Sequence, residues 1–170
     1  MLKIAIKCDL SENSGYGHFK RMYGLSKELE KLNFKCFFLF SIYQKKIIDK
    51  IKNKPNIYYF DNKKLIFDKE IFYFFKKKNI NILILDTYKK SLSMEKKIKS
   101  IKNLVFIKIN DQNLSSIADI IITNKEIEEL KISEKKDQII LSGFNHALSF
   151  YNQKKIINKK RKNLKKFKIL

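Results

Sequence analysis

Glycine, alanine, proline and arginine are scarce in this chain of 170 residues, with four, three, one and two of each. Lysine, asparagine, isoleucine, phenylalanine and tyrosine take their place. So little proline and glycine leaves no low-complexity linker in the first 150 residues, and no repeat with a period of roughly 20–50 residues is visible. The longest largely apolar run, 36–43, falls far short of the roughly 20 residues that span a bilayer. The N-terminus leads straight into a strand-like run and lacks the apolar core and small-residue cleavage site of a signal peptide. Cys8 and Cys36 are too few for a disulfide scaffold and read as buried free thiols. These absences predict one cytoplasmic domain with no membrane partner. At 44% hydrophobic residues the chain has enough apolar material for a real core.

Scarce arginine also bears on the net charge of +21. All but two of the 38 basic residues are lysine, many of them on the polar faces of expected helices. Proteins that read nucleic-acid sequence rely on arginine for bidentate contacts that lysine cannot copy. Specific nucleic-acid binding is therefore not expected, although non-specific attraction to polyanions follows from such a charge.

Short apolar runs alternate with amphipathic segments along the chain. Strands are expected at 2–7, 35–40, 57–60, 80–85, 104–109, 120–123 and 138–142. Helices are expected at 18–32, 42–51, 69–78, 93–101 and 125–130. The first helix carries Phe19, Met22, Leu25, Leu29 and Leu32 at spacings of three and four. Strands rich in Ile, Leu and Phe on both faces predict a parallel sheet covered on both sides, a doubly wound α/β domain. Ligands of such domains bind outside the carboxyl ends of the strands. Those ends carry Asp9, Asp86-Thr87-Tyr88, Asn110-Asp111 and, preceded by Asp119, Thr123-Asn124. Several acids and amides converging on one edge suit a hydroxylated ligand, although a single one is ordinary turn chemistry.

Three of the four glycines fall between positions 15 and 24, and one of the two arginines is Arg21. The stretch Gly15-Tyr16-Gly17-His18-Phe19-Lys20-Arg21 joins the first strand to the first helix. A glycine turn opening a helix presents unpaired N–H groups and the positive end of the helix dipole, which suits phosphates and anionic sugars. Against a glycine-poor background, Gly15 and Gly17 are expected to meet a need for positive φ or close ligand approach. A histidine at that positive end is expected to stay neutral and basic near neutral pH, as a general base requires. An ordinary turn with a surface histidine is the plain alternative.

Taken together, Cys8-Asp9 and the G-x-G-H-x-x-R-x-x-x-L pattern from Gly15 to Leu25 resemble the opening of the UDP-sugar hydrolases of pseudaminic acid biosynthesis and their spore-coat polysaccharide relatives. Ile82-Leu83-Ile84-Leu85-Asp86-Thr87-Tyr88 is similar to that family's apolar strand closing in Asp-x-Tyr. Ala118-Asp119-Ile120-Ile121-Ile122-Thr123-Asn124 and Gly143-Phe144-Asn145-His146-Ala147-Leu148 are similar to two later segments. His146 stands where the family usually has tyrosine, Asn110 replaces one acid, and Ser149 stands where arginine is common.

The resemblance implies a Rossmann-like domain over 1–152, the N-terminal domain of a GT-B glycosyltransferase-like fold. It implies that 153–170 are a basic linker and the start of a nucleotide-binding domain. The implied activity is release of UDP from a UDP-linked diacetamido trideoxy hexose, with His18 as general base on water. Gly15, Tyr16, Gly17, Asp9, Arg21, Asp86, Tyr88 and Asn124 are implied to surround the substrate. No motif demands a metal or cofactor. The chain reads as a first half, inactive alone, from a split, shortened or frameshifted gene; in the split case a separate chain carries the nucleotide-binding half. A non-catalytic sugar-binding module, or the acceptor domain of a glycosyltransferase, is the competing expectation, and nucleic-acid association through the basic tail is a third.

Overall fold

A computed structural model of the protein describes residues 1–10, 16–49, 55–61, 69–88, 91–112, 115–125 and 138–143. Seven parallel strands form one sheet in the order β3-β2-β1-β4-β5-β6-β7. They are β1 (Lys3–Cys8), β2 (Lys35–Ser41), β3 (Ile57–Phe60), β4 (Ile82–Asp86), β5 (Val105–Ile109), β6 (Ile120–Ile122) and β7 (Ile139–Leu141). The helices are α1 (Gly17–Lys31), α2 (Lys45–Ile48), α3 (Lys69–Lys78) and α4 (Leu92–Lys99). This is the doubly wound, Rossmann-like α/β arrangement expected. All seven strands form within two residues of their expected bounds.

Alternation along the strands decides which side chain meets which helix. Ile4, Ile6 and Cys8 of β1 and Ile84 of β4 pack with Phe19 and Met22 of α1 and Ile48 of α2. Ala5, Leu83 and Leu85 face the other way, onto Ile71, Phe74 and Phe75 of α3 and Met94 and Ile98 of α4. By the same alternation Asp86 lies on the α1 face and Lys108 on the α4 face. The order reverses at β1, which lies between β2 and β4. Such a reversal opens a crevice at the carboxyl ends of the two strands where the winding diverges, here β1 and β4.

Glycine scarcity shows in how the helices end. The N–H of Phe34 bonds the carbonyl of Leu29 and that of Asn33 bonds Glu30, with Asn33 left-handed at φ 69°. α3 closes the same way, Ile80 to Phe75 and Asn79 to Lys76, with Asn79 at φ 52°. Asparagine is the side chain that tolerates this conformation best after glycine, and here it fills the usual glycine position of the Schellman closure. Leu32, expected on the apolar stripe of the first helix, is the capping residue and is exposed.

The helix expected at 42–51 is instead a single 3-10 turn, Ile42–Gln44, followed by the short α2. Ser41 and Gln44 form a reciprocal capping box there, and the Gln44 amide donates to the Leu10 carbonyl at 2.5 Å. Most of the helix expected at 125–130, and all of 153–170, lies outside the described residues. Among the described residues no helix is long and apolar enough to cross a membrane.

Candidate functional site

Because the strands are parallel, the acids and amides that end β1, β4, β5 and β6 lie on one edge of the sheet, where α1 also begins. Asp9, next after β1, is half-buried. Its carboxylate accepts the Thr87 hydroxyl at 2.9 Å and the Tyr88 N–H at 3.0 Å, while the Asp9 N–H bonds the Asp86 carbonyl at 3.0 Å. Asp9 thus fixes the turn that follows β4. That turn sets the Tyr88 ring edge-on to the His18 imidazole, with centroids 4.3 Å apart, and leaves Tyr88 half-exposed.

His18 is the second residue of α1 and is nearly fully buried. Its Nδ1 lies 2.7 Å from Oδ1 of Asp86, a residue 1% exposed. A carboxylate only accepts, so Nδ1 carries the proton and Nε2 of the neutral ring is left as the acceptor. Arg21 comes one turn later on the same face of α1. Its Nε donates to Asp86 Oδ2 at 2.6 Å, Nη2 donates to Oδ1, and Nη1 donates to Asp111 beyond the end of β5. The same Nη2 lies 3.2 Å from His18 Nδ1. Burial opposes the guanidinium charge, but hydrogen bonds and charge from Asp86 and then Asp111 more than offset it, so Arg21 holds its proton well above the ordinary arginine range.

Both oxygens of Asp86 are therefore engaged within the protein, and the residue orients His18 rather than offering a free carboxylate. Tyr16 precedes α1 and is exposed. Its carbonyl accepts the Lys20 N–H at 2.9 Å, but it supplies no side-chain cap, and the first turn holds no acid. Among the described residues no carboxylate lies against the N–H groups at the amino end of α1, an arrangement suited to an anion. Gly17 has no positive φ, and a Cβ built there meets nothing within 4 Å. Its backbone does not require glycine, which corrects the conformational part of the expectation. Gly15 lies outside the described residues.

Asn124 is exposed, just beyond β6. Asp119 sits at the opposite, amino end of β6, where it accepts the Phe106 N–H at 2.8 Å and pairs with Lys99. Its role there is to hold β5 and α4 together. Asp111 is the residue the sequence underrated. The Asn110-Asp111 pair at a strand end signalled the edge, but nothing in the pattern told that Arg21 would reach it. Burial drives the Cys8 thiol, which faces α1 under this edge, far above its usual range and so leaves it unreactive. The second segment of the resemblance after Gly143, residues 144–148, lies outside the described residues. Among the described residues no cluster of three or more His, Cys, Asp or Glu is arranged to hold a metal ion.

Comparison with protein-family models and with curated proteins finds no match to the chain.

Proposed function

We propose that this domain is the water-activating half of a UDP-sugar hydrolase, the N-terminal domain of a GT-B-like pair, acting on a UDP-linked diacetamido trideoxy hexose. One observation carries the reading: Nδ1 of His18 is committed to buried Asp86, which leaves Nε2 as the proton acceptor beside an uncapped helix N-terminus at the sheet's switch point. In the proposed reaction a water oxygen bonds to the anomeric carbon as the bond from that carbon to the diphosphate oxygen breaks. The water proton passes to Nε2, and UDP leaves with the bonding electrons. The N–H groups of the first turn of α1 face the developing negative charge. Tyr88, half-exposed against the imidazole, presents a ring to the sugar. The uridine and diphosphate are held by a nucleotide-binding domain that pairs with this one.

The test measures UDP release from a UDP-linked diacetamido trideoxy hexose by the full chain, alone and mixed with a candidate nucleotide-binding partner. Negligible release alone and restored release on mixing are expected, with His18→Gln slowing the restored rate by roughly 10²–10⁴-fold. No release with any partner that itself binds UDP sinks the reading. A binding-only module is the second reading, supported by the same polar edge. It predicts that free sugar and UDP-sugar bind the chain equally well by calorimetry.

A further inference from the structure

The described groups around His18 form an asymmetric set. From β4 come Asp86 at Nδ1 and, just beyond, Tyr88 at the ring face; from α1 comes Arg21. From the end of β5 comes Asp111, which reaches the histidine only through Arg21. Under them lie buried, protonated Cys8 at the end of β1 and then Asp9, whose carboxylate is spent on Thr87 and Tyr88. A simple histidine–carboxylate pair would stabilise the imidazolium with the full charge of the acid. Here the guanidinium takes both oxygens of that acid and places its own positive charge 3.2 Å from Nδ1. Asp111 draws on the same guanidinium from its other end and is the more exposed of the two acids.

We infer that Asp111 and Arg21 are positioning residues that set the proton affinity of His18 in opposite directions: Arg21 lowers it by neutralising Asp86, and Asp111 raises it by balancing Arg21. The inference rests on His18 acting as the base and says what tunes it. Orientation and basicity are thereby divided. Asp86 fixes the tautomer, while the Arg21–Asp111 pair sets how readily Nε2 takes and returns a proton. A base must do both near the working pH. Arg21 suits this role because it keeps its charge throughout the range in which histidine titrates. Arg21 also spans the ends of β4 and β5, so the setting depends on the sheet edge and not on the mobile end of a long side chain.

The experiment follows the His18 ring nitrogens by NMR through a pH titration of the full chain, with no substrate present. Asp111→Asn keeps the side-chain shape at a partly exposed site, and it should lower the protonation midpoint of His18. Arg21→Met should raise it. In Asp111→Asn the neutral ring should keep its proton on Nδ1, which separates tuning from loss of structure. Midpoints that move together, or an unmoved midpoint in Asp111→Asn, overturn the inference, and the latter stands even where Arg21→Met does not fold. Because the titration needs no substrate, its failure leaves the hydrolase reading in place. Failure to release UDP, with divergent midpoints, removes the reaction and leaves a tuned histidine.

Discussion

His18 Nδ1 and Asp86 Oδ1 stand 2.7 Å apart across 68 residues of sequence, both all but sealed from solvent. Parallel pairing of β1 with β4, with Cys8 beside Asp86, brings the end of β4 under the start of α1. Removing the carboxylate therefore has two consequences that separate cleanly. Asp86→Ala leaves Arg21 with Asp111 alone, and it is expected to cost about 2–3 kcal/mol, below the full figure for an orphaned buried charge because one partner survives. Asp86→Asn keeps the shape and one acceptor, and should cost less. In both variants the His18 ring should lose its fixed tautomer, read from its nitrogen shifts. A ring that keeps a single tautomer in Asp86→Ala would show that something else orients it.

Lys108 and Glu95 pose a different problem, since each is 1% exposed and their charges meet at 2.5 Å inside the α4 face. Glu95 also accepts the Ser116 hydroxyl at 2.9 Å and the Ile117 N–H at 2.8 Å, so it ties β5, α4 and the segment before β6 together. Lys108→Met should destabilise the domain by about 3–5 kcal/mol, because Glu95 is left buried without its countercharge. Lys108→Met with Glu95→Gln should recover part of that loss, since no net charge remains buried. Denaturant midpoints of the single and double variants decide it. Equal midpoints would mean that the charges are not the reason for the cost.

These lysines mark where the sequence was readable and where it was not. Short apolar runs located every strand among the described residues, because a strand buried on both faces is written in consecutive Ile, Leu and Phe. The polar residues at the strand ends were visible for the same reason. The abundance of lysine points to solvated helix faces, yet Lys7 and Lys108, both on strands, are buried. Lys7 donates to the Leu39 carbonyl at 3.0 Å and stands 5.4 and 5.2 Å from the ring centres of Phe40 and Phe60. Such partners come from neighbouring strands and cannot be seen along one strand. The bridge from Arg21 to Asp111 was hidden likewise, since it needs β4 and β5 side by side with α1 above them. The 42–51 pattern misled because its periodicity was sound, whereas the local Ser41–Gln44 capping box favoured a tight turn.

Asp9 is expected to act through geometry alone. Its carboxylate holds Thr87 and the Tyr88 N–H, and Tyr88 in turn lies on His18. Thr87→Val removes one hydroxyl bond and should cost about 0.5–1.5 kcal/mol. Asp9→Ala should cost more and should free the Tyr88 ring, seen as loss of its ring-current shift on the His18 protons. An unchanged His18 spectrum in Asp9→Ala would break the link between the two strand ends.

Both cysteines should resist alkylation in the folded protein. Burial pushes the Cys36 thiol up to about 11 and drives Cys8 higher still. The thiolate is the reactive form, so both stay protonated near neutral pH and become reactive only as pH rises well beyond the ordinary thiol range. Iodoacetamide at neutral pH should label neither residue until denaturant is added. Labelling of Cys8 in the folded state would mean that the edge above it opens.

Gly17 separates what the fold needs from what a ligand needs. Its backbone is helical and a Cβ meets nothing within 4 Å, and the same is true of Gly24, deeper in α1. On structural grounds alone both should accept alanine, and Gly24→Ala should add about 0.5–1 kcal/mol to stability through better helix propensity. Gly17→Ala, at the first helical position, should be neutral or slightly stabilising. Under the proposed function the two variants part company. A methyl group at residue 17 projects where the sugar diphosphate meets the amino end of α1, so binding of the UDP-sugar in the mixed system should weaken by about tenfold, roughly 1.4 kcal/mol. Gly24→Ala should bind as the parent does. Equal binding by both variants, with melting temperatures at or above the parent, would mean that no ligand presses on the start of α1. His18 would then be a buried, oriented histidine without the anion site that its proposed reaction requires.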